Sequence, residues 1–163
     1  DKEKGGFFFT SNQHEQLFYR PKSISDDSVP SGLVYATDTL LYMGFISGNQ
    51  KYIEAAHGAL DFIYKSIDDN LTSTVSAINL LREDNLEKEI IIVRTNEKAW
   101  EKITDSEEYY AKCIIFIENE LQNLPDYIAI KESKGEFTSY HCKGMTCQAP
   151  KLSFEDFIDT LKT

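Results

Sequence analysis

Apolar residues recur at helical spacing in the first half of the chain and predict a pair of helices joined by a short turn. The first helix is expected from about Ser31 to Ser47, where "SGNQ" ends it. The second helix has a cleaner stripe, formed by Tyr52, Ala56, Ala59, Leu60, Ile63 and Ile67. A shorter helix is expected near residues 73–82. The first half is therefore predicted to be helical.

The pattern changes after "REDNLEKE". The runs "EIIIV" and "KCIIFIE" are β-branched and bracket a helical stretch around Trp100, which predicts a βαβ unit with a small parallel sheet. "YIAI" and "FTSYHC" are expected to add strands. A last helix is indicated by the N-cap Ser153 and by a buried face made of Phe154, Phe157, Ile158 and Leu161. The pattern predicts an α+β protein with a helical part over residues 1–84 and an α/β part over residues 85–163.

Composition narrows the possible partners. The chain has 163 residues and a formal net charge of −10, and no basic face is evident, so nucleic acid is not an expected partner. An anionic membrane surface is disfavoured for the same reason, and the apolar runs are too short to span a bilayer. Three cysteines, an odd number, favour a reducing, cytoplasmic setting. The chain begins at Asp1 without a methionine and is expected to be a piece of a longer protein.

The stretch "GGFFFTSNQHEQLFYRPKS", residues 5–23 and here called the aromatic segment, combines three phenylalanines with charged side chains. Two short extended pieces are expected in it. An aromatic floor beside a few polar groups is typical of a ligand site. Because neighbouring side chains on a strand point to opposite sides, Phe7 or Phe9 is expected to border the ligand and Phe8 to be buried against the helices.

Six further residues in or near this segment are candidates for chemistry: His14, Glu15, Arg20, Lys22, Asp26 and Asp27. His14 and Glu15 could form a proton-transfer pair, or His14 could tie two loops together. Arg20 and Lys22 could bind an anionic group or could simply be solvated. The carboxylates of "SISDD" could cap the following helix or carry charge for a ligand.

Three stretches together resemble one family: "GGFFFTSNQHE", "RPKSISDDSVPSG" and "SYHCKGMTCQAP". They resemble the C-terminal end of the YyaL-type, thioredoxin-domain-containing proteins, whose vertebrate relatives are called spermatogenesis-associated. In that family a thioredoxin-like domain precedes a helical toroid of the six-hairpin glycosidase and sugar-epimerase type, and a small α/β tail follows. The resemblance covers nearly the whole chain and departs from the family at Gln13, Asp27 and Leu33.

The resemblance implies that residues 1–84 are the last hairpins and cavity loops of an (α/α) toroid. It implies a sugar or sugar-phosphate ligand, with His14, Glu15 and Asp26 as catalytic residues and Phe7, Phe9, Arg20 and Lys22 as substrate-binding residues. The N-terminal domains of the same protein, which this sequence lacks, would be partners. We expect no cofactor and no metal site.

Cys142 and Cys147 form a C-x4-C pair whose role the sequence leaves open. The pair is expected to be structural and close enough to bridge on oxidation. A redox role is the alternative, suggested by the family's thioredoxin-like domain. Zinc binding with His141 is a third reading, but it lacks a fourth ligand nearby.

Two functions from different classes follow from these observations. The first is a carbohydrate-handling, enzyme-derived toroid to which this chain contributes cavity loops. The second is a non-catalytic scaffold that supports the thioredoxin-like domain or a partner. In both cases we expect this chain to self-associate through the helix pair at residues 33–67, because hairpins cut from a toroid leave an apolar side uncovered.

Overall fold

A computed structural model describes residues 1–11, 13, 18–67, 71–85, 89–96, 101, 113–144 and 146–161. The chain divides into two compact units, Asp1–Leu86 and Glu87–Thr163. The first contains helices, and the second contains a mixed sheet with helices, so the protein is of the α+β class. Among the described residues, no helix is long and apolar enough to cross a membrane.

The described part of the first unit contains three α-helices: α1 (Gly32–Ser47), α2 (Gln50–Ser66) and α3 (Val75–Asn85). Helix α1 begins where the Ser31 hydroxyl accepts a bond from the Val34 N–H, and it ends at Gly48, whose φ of 66° is left-handed. The side chain of Asn49 accepts a bond from the Lys51 N–H and starts α2. The three helices predicted from the periodicity are confirmed.

The core of the first unit is formed by all three helices and one loop residue. Its buried members are Ile24, Leu33, Val34, Leu41, Ala56, Leu60, Ile63, Ala77 and Leu80. Helices α1 and α2 approach closely at Gly44, where a Cβ atom would lie 2.6 Å from Cγ1 of Ile53. A side chain at this position would therefore push the two helices apart.

The aromatic segment forms no strand among its described residues, so the two extended pieces expected there are not part of a sheet. One backbone bond, from the Phe9 N–H to the Pro21 carbonyl at 3.0 Å, links its two ends. Gly5 has a φ of 68°, and a Cβ atom on it would lie 1.9 Å from the Gly58 carbonyl oxygen of α2. The glycine is needed because the backbone both turns and touches a helix there.

The second unit is built on a four-stranded sheet of order β2-β1-β3-β4. Its strands are β1 (Glu89–Thr95), β2 (Cys113–Ile117), β3 (Phe137–Lys143) and β4 (Thr146–Cys147). Strands β1 and β2 are parallel, as predicted, and β3 is antiparallel to both β1 and β4. The helix expected around Trp100 lies outside the described residues.

Two short helices are described in the second unit. Helix α4 (Asp126–Ala129) occupies most of "YIAI", so the strand expected there is wrong. Pro125, which supplies no backbone N–H to a ladder, stands immediately before this helix. Helix α5 (Phe154–Leu161) begins where the Ser153 hydroxyl accepts a bond from the Asp156 N–H at 3.1 Å, as expected.

One face of the sheet packs on α5. Ile91 and Val93 of β1 and Phe137 of β3 contact Phe157 and Leu161 of the helix. Strand residues alternate between faces, so Ile90, Ile92 and Arg94 lie on the opposite face of the same strand. Arg94 is therefore the charged last member of a row whose other two members, Ile90 and Ile92, are apolar.

Candidate functional site

A cavity of about 490 Å³ lies in the first unit, between the aromatic segment and the start of α1. Its volume is within the range of about 300–1,000 Å³ that is usual for small-molecule sites. The side chains around it are apolar or small and polar: Phe7, Phe8, Phe9, Ser23, Ser25, Asp27, Val29, Pro30, Ser31, Gly32, Leu33 and Ala36. The aromatic segment and the "SISDD" loop therefore meet at one concave surface, as the sequence suggested.

The three phenylalanines have different environments. Phe7 is partly buried and packs against the helical core, whereas the Phe9 side chain is 87% exposed. Phe8 is partly buried, and the Arg20 guanidinium carbon lies 4.0 Å from the centre of its ring. The expectation that Phe8 faces the helices is wrong, because the segment is not a strand and Phe7 is the residue that turns toward them. Phe9 is an aromatic ring available for stacking.

Arg20 and Lys22 are engaged in contacts within the first unit and do not border the cavity. Arg20 donates to the Thr10 hydroxyl and carbonyl oxygens. Lys22 Nζ donates to an Asp1 carboxylate oxygen and to the Gly5 carbonyl, both at 2.9 Å, and lies 4.0 Å from the centre of the Phe62 ring. Both cations hold the aromatic segment together, and their assignment to a ligand stays a prediction.

Asp26 connects the beginnings of two helices. Its carboxylate accepts bonds from the Ser31 N–H at 3.0 Å and from the Ser76 N–H at 2.9 Å, and also from the Ser76 hydroxyl. Desolvation, the largest single influence, raises the pKa of Asp26, but the bonds from Ser76, Ser31 and Val75 together lower it below its ordinary value. The carboxylate satisfies helix N-termini, which is the capping alternative from the sequence. No contact of Asp26 among the described residues supports the catalytic role expected for it.

The neighbouring residue, Asp27, borders the cavity, as do Ser23 and Ser25. Sequence reasoning did not assign Ser23 and Ser25 to a ligand, whereas Asp27 was one of the two carboxylates expected to cap the helix or to carry charge for a ligand. The signal was the alternation of Ser23, Ser25 and Asp27 in the sequence, because alternate residues share one side of a segment if it is extended. These residues contribute two hydroxyls and one carboxylate to the lining of the same cavity as the phenylalanines.

His14 and Glu15 lie outside the described residues, so the expected proton-transfer pair stays a prediction. His57 is exposed on α2. The chemistry that the described residues offer is binding: an aromatic face, small hydroxyls and a carboxylate, which suit a hydroxyl-rich ring better than a flat apolar one.

Cys142 and Cys147 form a disulfide between paired residues of β3 and β4. Cys142 is buried and Cys147 is exposed. The bridge occupies both sulfur atoms, so the zinc reading with His141 is not supported. Instead, Nε2 of His141 lies 3.4 Å from a carboxylate oxygen of Glu89. Among the described residues, no group of three or more His, Cys, Asp or Glu side chains could hold a metal ion.

Comparisons with models of known protein families, with curated proteins and with solved structures found no match.

Proposed function

We propose that this chain handles carbohydrate, and that the cavity beside the aromatic segment binds a sugar or sugar-phosphate ring. One observation carries the proposal. The exposed Phe9 ring stands at a cavity of about 490 Å³ whose other walls offer Ser23, Ser25 and Asp27. An aromatic ring can stack on the C–H face of a sugar, while hydroxyls and a carboxylate bind its hydroxyl groups.

The toroid is part of the same proposal. Helices α1 and α2 form a hairpin joined by two residues, which is the repeating unit expected of an (α/α) toroid. Tyr35 and Met43 of α1 are 58% and 45% exposed, although α1 is apolar over much of its surface. Such a helix normally has neighbours on more than one side. Further hairpins of the same protein would supply them.

The catalytic part of the proposal rests on His14 and Glu15. If the protein turns over a sugar, these residues would move the proton, since Asp26 is occupied by helix capping. The cytoplasmic location also belongs to the proposal, and there the Cys142–Cys147 bridge would have to withstand a reducing environment.

The test is saturation-transfer NMR with a panel of neutral hexoses, N-acetylhexosamines and hexose phosphates, using two variants. Phe9→Ala removes the stacking face and should weaken binding by about threefold to tenfold, the effect of losing one aromatic stacking contact. Phe18→Ala is the matched control, because Phe18 belongs to the same segment and is fully exposed but does not border the cavity. Equal effects of the two substitutions, or no saturable binding by the native chain, would remove the basis of the proposal.

A non-catalytic scaffold is the second candidate. It is favoured by the internal bonding of Lys22 and Asp26, which takes two expected ligand-binding groups out of reach. His14→Ala and Glu15→Ala separate the two functions. A scaffold predicts unchanged sugar binding and unchanged turnover in both variants, whereas the carbohydrate-handling proposal predicts loss of turnover in at least one.

A further inference from the structure

The second unit contains a buried arginine that lies beside unsatisfied polar atoms. Arg94 is the sixth residue of β1 and is 5% exposed. Arginine is seldom buried to this extent unless an anion accompanies it. Yet among the described residues no carboxylate forms an ion pair with it. A hydrogen bond goes from its Nη2 to the Asn119 carbonyl at 2.6 Å.

Two polar atoms at this position have no hydrogen-bond partner among the residues that the structure describes. They are Nε of Arg94, a donor, and Oδ1 of Asn119, an acceptor. The orientation of the Asn119 amide is set by its other end, because Nδ2 donates to the Gly135 carbonyl at 3.2 Å and to the Glu136 carbonyl at 3.4 Å. Oδ1 therefore remains the acceptor. One unsatisfied donor and one unsatisfied acceptor therefore belong to two residues that already share a hydrogen bond.

Both residues border a cavity of about 500 Å³. Gln122, Asn123, Glu132 and Ser133 also line it, so most of its wall can form hydrogen bonds. Arg94 lies near the carboxyl end of β1, and Asn119 follows the carboxyl end of its parallel neighbour β2. The crevice beyond the carboxyl ends of parallel strands is where open α/β sheets commonly bind ligands.

We propose that this cavity binds a small organic anion in which a carboxylate or phosphate group is adjacent to a hydroxyl. The anionic oxygens accept from the Arg94 guanidinium, which has a planar fork suited to either group. The hydroxyl donates to Oδ1 of Asn119. One ligand thereby compensates the guanidinium charge and contacts Arg94 and Asn119, which both line the cavity. Glu132 borders the same space and disfavours ligands with a second negative charge beside it.

The experiment is a titration of the full chain followed by amide NMR, with four sodium salts as probes: lactate, acetate, phosphate and chloride. Lactate should bind more tightly than acetate, because acetate lacks the hydroxyl that would donate to Asn119. Phosphate distinguishes a phosphate site from a carboxylate site. The signals that shift should come from residues 94 and 119–124, in the millimolar range expected for so small a ligand.

Two substitutions test the role of the guanidinium. Arg94→Met should abolish binding, and Arg94→Lys, which keeps the charge but loses the fork, should weaken it by at least about tenfold. The control is Arg82→Met, which removes the same charge from an exposed position of α3 in the first unit. It should bind as the native chain does.

Several outcomes would overturn the proposal. The first concerns the native chain, which would have to show no saturable shift with lactate, acetate or phosphate, or the same shift with chloride. Undiminished binding by a folded Arg94→Met or Arg94→Lys variant would overturn it as well. Lactate and acetate binding equally would refute the assignment of Asn119. Loss of binding in Arg82→Met would reveal a general charge effect in place of a site.

Discussion

Replacing Gly44 by alanine tests the close packing of α1 on α2. An alanine in a helix interior is favoured over glycine by about 1 kcal/mol, so the substitution alone should stabilise α1. At this position, however, the new methyl group would lie 2.6 Å from Cγ1 and 3.3 Å from the backbone nitrogen of Ile53. Ile53 is β-branched and cannot turn aside easily, and overpacking of this kind costs about 1–3 kcal/mol. We expect a net loss of stability of up to about 2 kcal/mol.

Gly32→Ala is the matched control, because Gly32 lies in the same helix and a Cβ atom there meets nothing within 4 Å. Urea unfolding should be followed by far-ultraviolet circular dichroism, since the fluorescence of Trp100 reports on the other unit. Gly44→Ala should be less stable than Gly32→Ala by about 1–3 kcal/mol, the overpacking cost alone. Adding Ile53→Ala should reduce that difference. If Gly44→Ala proves as stable as the control, the helices do not approach as described.

Three other predictions concern different parts of the molecule. Asp26→Ala should lower the free energy of unfolding by about 1 kcal/mol at neutral pH. Because the folded-state pKa of Asp26 is lowered, this contribution should be lost as pH falls below the ordinary aspartate value near 3.9, and urea titrations showing a pH-independent cost would contradict it. Reduction of the Cys142–Cys147 bridge, which closes a short loop, should destabilise the second unit by about 2 kcal/mol in a Trp100 fluorescence assay, and unchanged unfolding would count against it. Sedimentation should show self-association that Met43→Glu weakens, whereas a monomer at high concentration would refute it.

Regular periodicity made most of the elements predictable. The stripe from Tyr52 to Ile67 predicts α2, and the β-branched runs predict β1 and β2 with their parallel pairing. These signals succeed because one buried face requires a fixed spacing of apolar residues. "YIAI" failed because a four-residue apolar run has no period long enough to separate a strand from a helical turn.

The aromatic segment shows the limit of local pattern. Its phenylalanines predicted a strand with alternating sides, but the backbone is directed by Gly5 and Gly6, both with positive φ, and by the contact of Gly5 with Gly58 in α2. That contact joins residues distant in the sequence, so no window of neighbouring residues contains it. As a result the general position of the cavity was predictable, whereas the orientation of Phe7 and Phe8 was not.

Charge and remaining hydrogen-bonding capacity select different residues of this protein as candidates for a ligand site. Lys22 and Asp26 attracted attention because they are charged and close to aromatic residues, yet both have protein partners for their polar atoms. Arg94, which ends the run "EIIIVR", was not singled out from the sequence. It is nevertheless more deeply buried than Lys22 or Asp26, and its Nε has no hydrogen-bond partner among the described residues. A charge placed in an apolar strand is costly unless something compensates it. Such a residue is therefore where a ligand contributes most to the stability of the folded chain, and where binding and folding should be most strongly linked.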